Sequence, residues 1–177
     1  MCAAGEGHGL DLGETKVAAG VVDADGRVLA QLGCDTPAQD PDKVEDIIAD
    51  CIRELAEEHD VEAAGLGAAG FVDAACSTVL FAPNLVWRNE PLRAAVEQRT
   101  GLPVVVENDA NAAAWGETRF EAGHGQPFTV TVTIGTGLGG GVVLVGSCSA
   151  AFGAAAEAGH MNVVPDGRPC GCANFGC

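Results

Sequence analysis

Short apolar stretches open the chain at residues 9–12, 17–22 and 27–32, and the last two are joined by the turn chemistry of Asp23-Ala-Asp-Gly26. This pattern predicts three strands and two successive β-hairpins. Asp40-Pro41 then marks a helix start, with Asp as cap and Pro at the first position. Val44, Ile47, Ile48, Cys51, Ile52 and Leu55 recur at i, i+3, i+4, i+7, i+8 and i+11, one apolar face of a helix. Glu45, Asp50, Glu54, Glu57 and Glu58 fall off that face and are expected in water. Cys51 is expected in the core. Strands are predicted at 61–68, 79–81 and 103–106, and helices at 91–99 and from the second or third residue of 107–117. The order β-β-β-α-β-α-β-α predicts a mixed α/β sheet carrying helices. Residues 121–127 read as a linker, and a second pair of strands, 128–134 and 142–145, follows around a glycine-rich turn. Its likeness to the opening hairpins suggests duplicated halves.

That turn, Gly135-Thr-Gly-Leu-Gly-Gly-Gly141, demands tight backbone and lets a ligand approach its N–H groups. Consecutive amides suit a phosphate. The spacing fits Gly-x-Gly-x-x-Gly, but that fingerprint needs a helix directly after it, and Val142-Val-Leu-Val145 favours strand. No Gly-Lys-Ser/Thr closes a Walker loop either. What remains is a phosphate-holding loop between two strands, or a glycine-rich hairpin without a ligand.

The composition then narrows the partners. The chain has 177 residues, enough for one domain or two small ones. Its 25 acidic residues against 9 basic ones give a net charge of -16, which argues against a nucleic-acid partner. It also fits adaptation to high salt, where self-repulsion is screened. No run of about 18 apolar residues and no secretory leader pattern is found, so a cytoplasmic setting without membrane contact is expected. Of the eight cysteines, three crowd the last eight residues, a distribution closer to metal ligation than to a disulfide framework.

Two places could carry chemistry. Asp109 follows a buried strand and opens a helix, where a carboxylate either acts as general base on a hydroxyl or caps the helix. Glu107, Asn108 and Asn111 crowd the same strand end, the edge where ligands gather in open α/β sheets. His160, Cys170, Cys172 and Cys177 offer one imidazole and three thiols in a loop rich in Gly and Pro. That set suits a closed, structural tetrahedral Zn²⁺, the alternative being a reduced, metal-free tail. Asp11 and Asp23 are open between turn residues and holders of a metal-bound water. Cys2, Cys34, Cys76 and Cys148 have no partner spacing and receive no role.

Taken together and in order, Asp11-Leu-Gly-x-Thr-Lys16, Pro83-Asn-Leu85, Glu107-Asn-Asp-Ala-Asn-Ala112, Thr133-Ile-Gly-Thr-Gly-Leu-Gly-Gly-Gly141, Glu157-x-Gly-His160 and Cys170-Gly-Cys-x-Asn-x-Gly-Cys177 resemble the ROK family (repressors, open reading frames and kinases), and within it the glucokinase-like sugar kinases. The resemblance runs over nearly the whole chain. It implies an actin/hexokinase-type fold of two ribonuclease-H-like domains around a cleft, and transfer of the γ-phosphoryl of ATP to a hexose, glucose first. By the same resemblance Asp109 is the general base, and Asn84, Asn108, Glu157 and His160 hold the sugar. Asp11, Gly13, Thr15 and Lys16 form a first phosphate and Mg²⁺ motif; Gly135, Thr136, Gly137 and Gly139 form a second. Zn²⁺ sits on His160, Cys170, Cys172 and Cys177. The resemblance also implies a homo-oligomer for full-length members. Phosphoryl transfer asks for positioning and charge stabilisation, which these parts supply.

Departures from the family pattern are Glu14 in place of the second glycine of the first phosphate loop, Ala173 in the cysteine motif and Ala156 before the site Glu. Glu14 sets a carboxylate and a Cβ where a triphosphate must approach. The chain is expected to hold a first domain over residues 1–120 and only the opening of a second over 128–177, stopping after the last zinc ligand. As an isolated chain it is then expected to expose apolar strand faces, to aggregate, and to have little kinase activity. An inactive zinc-binding fragment and a sugar-responsive repressor are the alternatives. N-acetylmannosamine, N-acetylglucosamine and fructose stay open as sugars, as do polyphosphate and ADP as donors.

Overall fold

The computed structural model describes residues 7–12, 16–35, 40–82, 87–135, 138–145, 147–148, 158–170 and 174–177, without the side chains of 7–12, 16, 147–148 and 158. In chain order the elements are β1 (Gly7–Leu12), β2 (Lys16–Val22), β3 (Val28–Asp35), α1 (Pro41–Ala56), β4 (Ala63–Ala68), β5 (Phe71–Val72), β6 (Val79–Phe81), β7 (Arg88–Glu90), α2 (Leu92–Thr100), β8 (Val104–Asn108), α3 (Asp109–Phe120), β9 (Phe128–Ile134), β10 (Leu138–Leu144) and β11 (Ser147–Cys148). A 3₁₀ turn spans Ala158–His160. The chain divides into two compact units, Met1–Asp109 and Ala110–Cys177, so the division falls one residue into α3, and residues 121–127 lie within the second unit.

The first unit is built on a five-stranded sheet of order β3-β2-β1-β4-β8. The expected meander β1-β2-β3 is antiparallel, and β4 and β8 continue it in parallel beside β1. Alternation along β2 sends Val17, Ala19 and Val21 into the core. The matching inward residues are Ala64, Leu66 and Ala68 on β4 and Val104 and Val106 on β8. α1 buries Val44, Ile48, Cys51, Ile52 and Leu55, and α2 buries Leu92 and Val96.

α1 has the expected punctuation, and α2 ends on a glycine. Asp40 caps α1 by accepting from Lys43 N at 3.4 Å, with Pro41 in the first turn. Gly101 closes α2 in the left-handed region (φ 75°), donating its N–H to Glu97 O. A small sheet β5-β6-β7 stands beside the large one in sequence, with Trp87 buried at its end.

One position on α1 departs from the expected solvated face. Glu45 is only 3% exposed, because α2 lies along α1 and brings Arg99 Nη1 to 2.8 Å from its carboxylate. Asp46, one residue further on, takes Arg99 Nε at 2.9 Å. The helical stripe shows which residues face the sheet; a flank covered by a neighbouring helix leaves no trace in it.

In the second unit β9, β10 and β11 form an antiparallel sheet. The glycine-rich stretch is mostly strand. Leu138 through Gly141 pair with Ile134 through Thr131. The physical reason is α3. A Cβ on Gly139 would stand 3.0 Å from Ala110 Cβ and 2.7 Å from Thr133 Oγ1, and one on Gly141 would run into Ala114 Cβ. The strand comes so close to the helix that only glycine fits. Along β9 the threonines are half-buried, while Phe128, Val130, Val132 and Ile134 point to solvent, from 51% exposed at Val132 to 84% at Ile134.

Candidate functional site at the sheet edge

The candidate chemistry of the first unit collects where its parallel strands end. Register aligns Asp11 of β1 with Gly67 of β4 and Glu107 of β8, and the next row is Leu12, Ala68 and Asn108. At about 4.8 Å per strand, the backbones of Asp11 and Glu107 are roughly 10 Å apart on one edge. Two motifs separated by almost a hundred residues thus meet at one place, the carboxyl ends of adjacent parallel strands.

Asn108 organises that edge. Its side-chain amide donates to Gly70 O at 3.1 Å and to Asp109 Oδ1 at 3.1 Å, while its backbone N–H donates to Glu107 Oε1 at 2.9 Å. The other Glu107 oxygen, Oε2, lies 3.9 Å from the Cys76 thiol. Asp109 is half-buried at the first position of α3, with its orientation fixed from the Asn108 side. A carboxylate held in this way, facing partly to solvent, can accept a proton from a hydroxyl brought to it.

Gly70 is a site residue that its sequence neighbourhood did not single out. Its carbonyl receives the Asn108 amide, and a Cβ there would stand 2.6 Å from Phe81 O and 3.0 Å from Ala82 Cα. The signal lies in the pairing of β4 with β8, which brings the loop after β4 next to Asn108.

The second unit carries the metal-like cluster. The ligand atoms of His160, Cys170 and Cys177 all lie within 4.8 Å of one another, and Cys170 Sγ is 3.6 Å from His160 Nδ1. Zinc bonds of 2.0–2.3 Å in a tetrahedron imply ligand-to-ligand edges of roughly 3.5–3.8 Å, so these residues fit a zinc ion with little movement. The loop that holds them is folded by its own backbone. Cys170 N donates to Asn174 O at 2.8 Å, Gly176 N donates to Arg168 O at 2.9 Å, and Val163 and Val164 both donate to Gly176 O. Gly176 has φ 73° and lies against Val164 O, a position no other residue could take without displacing that strand of the loop. Gly159, beside His160, packs on Leu138 at the start of β10.

Gly135 is exposed at the end of β9 and Gly139 stands within β10. Gly13, Thr15, Asn84, Thr136, Gly137, Glu157 and Cys172 lie outside the described residues, as do the side chains of Asp11 and Lys16.

A three-stranded meander continued by parallel strands, with a helix-opening carboxylate at their carboxyl edge, defines the class: the fold is of the actin/hexokinase type. The sequence model of the ROK family matches residues 8–177, and the chain belongs to that family. It is 51% identical over 170 residues to a glucokinase of Streptomyces coelicolor, covering 96% of this chain and 53% of that protein. A Thermotoga maritima glucokinase is 40% identical over 174 residues, covering 96% of the chain and 54% of the relative. Among solved structures, a ROK family glucokinase from Streptomyces griseus in complex with glucose and AMPPNP superposes with a TM-score of 0.90 at 55% identity, over 98% of this chain and 55% of that one. Xylose repressors match more weakly; that of Bacillus subtilis is 28% identical over 180 residues, covering 98% of this chain and 47% of the repressor. The chain spans about half the length of the curated relatives it matches. Among the described residues no helix is long and apolar enough to cross a membrane.

Proposed function

We propose that the chain provides the sugar-binding and phosphate-binding start of an ATP-dependent hexose kinase, with glucose as the acceptor and Asp109 as the general base. The observation that carries this reading is the Asn108–Asp109 pair at the carboxyl edge of β1, β4 and β8. Asp109 takes the proton of the sugar hydroxyl as that oxygen attacks the γ-phosphorus of ATP. Asn108 holds the Asp109 carboxylate in place, and with Asn84, Glu157 and His160 it binds the sugar hydroxyls. Asp11, Gly13, Thr15 and Lys16 of the first phosphate motif and Gly135, Thr136, Gly137 and Gly139 of the second receive the phosphates. Mg²⁺, a hard ion served by carboxylate oxygens such as that of Asp11, supplies charge neutralisation when bound. Zn²⁺ on His160, Cys170, Cys172 and Cys177 is structural: it would fix the loop that presents His160. The 51% identity to a protein named glucokinase supports glucose over other hexoses.

The test joins residues 1–177 to the remaining half of the Streptomyces coelicolor glucokinase and assays the chimera with several hexoses and donors. Glucose with ATP should give the highest kcat/KM. In the chimera, Asp109→Asn should lower kcat by about 10²–10⁴, with KM for glucose changed only a few-fold. Turnover near that of the parent chimera would remove Asp109 from the mechanism. A chimera that binds glucose but turns over with no donor would favour a non-catalytic zinc-binding role, for which Glu14 in the first phosphate loop is the motive.

A further inference from the structure

Apart from the sheet edge, a second pair of reactive side chains meets in the first unit. Cys34 on β3 and Cys51 on α1 have their Sγ atoms 2.8 Å apart. Their sequence separation of 17 residues carries no motif, and the contact exists because alternation along β3 turns Leu32 and Cys34 onto the core that α1 covers. The two sulfurs need to approach by less than about 1 Å to reach the roughly 2.05 Å of a disulfide. Cys34 is half-buried and Cys51 is 1% exposed, so one thiol can meet a solute and the other cannot. Asp50 and Glu54 on α1 place negative charge around Cys51, and Asp35 follows Cys34 on the edge strand.

We propose that Cys34 and Cys51 form an oxidisable dithiol, a modification site that a small uncharged or cationic organic disulfide converts into an intramolecular bond tying β3 to α1. Cys34 loses its proton to solvent, and its thiolate attacks one sulfur of RS–SR. That S–S bond breaks, one RS⁻ leaves and takes up a proton, and Cys34 carries the mixed disulfide. Burial, and next the hydrogen bond with Cys34, push the Cys51 thiol up to about 12, so it keeps its proton until this point. Cys51 then gives its proton to solvent, its thiolate attacks Cys34 Sγ, the bond from Cys34 to the SR group breaks, and the departing RS⁻ takes up a proton. Two protein thiols are oxidised to one disulfide and one RS–SR is reduced to two RSH. An anionic disulfide is repelled by the neighbouring carboxylates and by the net charge of -16.

The experiment treats the reduced 177-residue chain with 2-hydroxyethyl disulfide or with oxidised glutathione. The chain is then denatured and alkylated, and its cysteine peptides are identified by mass spectrometry. Expected are a linked Cys34–Cys51 peptide pair, formed at least about tenfold faster with the uncharged reagent. The melting temperature should rise on the order of 5–10 °C, reversed by dithiothreitol, because the link constrains the unfolded chain. Cys51→Ser should leave a stable adduct on Cys34, and Cys34→Ser should leave Cys51 unreactive in the folded chain. Wild-type protein that keeps the adduct on Cys34 while Cys51 remains alkylatable would overturn the proposal, as would both thiols staying alkylatable after prolonged excess of reagent. Equal rates with oxidised glutathione would overturn its charge selectivity.

Discussion

Asn108 is the residue on which the candidate site turns. One amide group reaches both the Asp109 carboxylate and the Gly70 carbonyl, so the orientation of that carboxylate depends on the backbone of a loop 38 residues upstream. Gly70 can bring its carbonyl there only because it has no side chain; a Cβ would meet Phe81 O and Ala82 Cα, backbone atoms that cannot step aside cheaply. Gly70→Ala should therefore cost about 1–3 kcal/mol in chemical denaturation, as overpacking does. In the chimeric kinase it should lower kcat more than it raises KM, since it disturbs the orientation of Asp109. A stability and a kcat both equal to those of the glycine form would show that the loop yields freely. The place of Asn108 at the end of a strand and of Asp109 at the start of a helix was legible in the sequence because a polar cluster followed a buried apolar run. Gly70 was not, since its role arises from the register of β4 against β8.

At the scale of elements, the packing of α1 on α2 stores a pH dependence. Burial raises the Glu45 carboxyl first, and its hydrogen bond with Glu90 and the charge of Asp42 add to the rise. Arg99 opposes them, and the balance holds Glu45 at about 7 against an ordinary 4.5. A raised carboxyl means that the folded state binds the proton more tightly than the unfolded one. The resulting stability is complete below about pH 4.5 and is lost as pH climbs through 7. Wild-type protein should lose on the order of 2 kcal/mol relative to Glu45→Gln between pH 5 and pH 8, read from urea melts across that range. A difference between the two that is flat with pH would mean that Arg99 keeps Glu45 charged throughout. The same interface shows the limit of periodicity. The apolar stripe of α1 and the strands and helices of the large sheet could be read from spacing, whereas the sheet β5-β6-β7 adds strands between β4 and α2 that the expected order β-β-β-α-β-α-β-α lacks, and Glu45 lies on a flank that α2 covers. The glycines of β10 are a similar case: read alone they describe a loop, and the approach of Ala110 and Ala114 on α3 makes most of them strand.

At the scale of the whole chain, two surface properties oppose each other. Phe128, Val130, Val132 and Ile134 form one open apolar face of β9, a contiguous patch of a kind that promotes association. Against it stands a net charge of -16, which repels like molecules over the Debye length. That length is about 30 Å at 0.01 M salt and about 3 Å at 1 M. At the low ionic strength the charge of an approaching copy is felt over tens of ångströms; at the high one it is felt only on contact, and salt does nothing to weaken apolar attraction. The 177-residue chain should therefore stay monomeric in dilute buffer, yet bind a hydrophobic dye there, and should self-associate in 1 M NaCl. Light scattering on the two samples checks the first and last of these. Val130→Thr with Val132→Thr keeps β-branched residues in the strand while removing much of the patch, and should restore the monomer in 1 M NaCl. A chain that is monomeric in 1 M NaCl without these substitutions would show that the face of β9 is not adhesive, and association already in dilute buffer would show that charge does not restrain it.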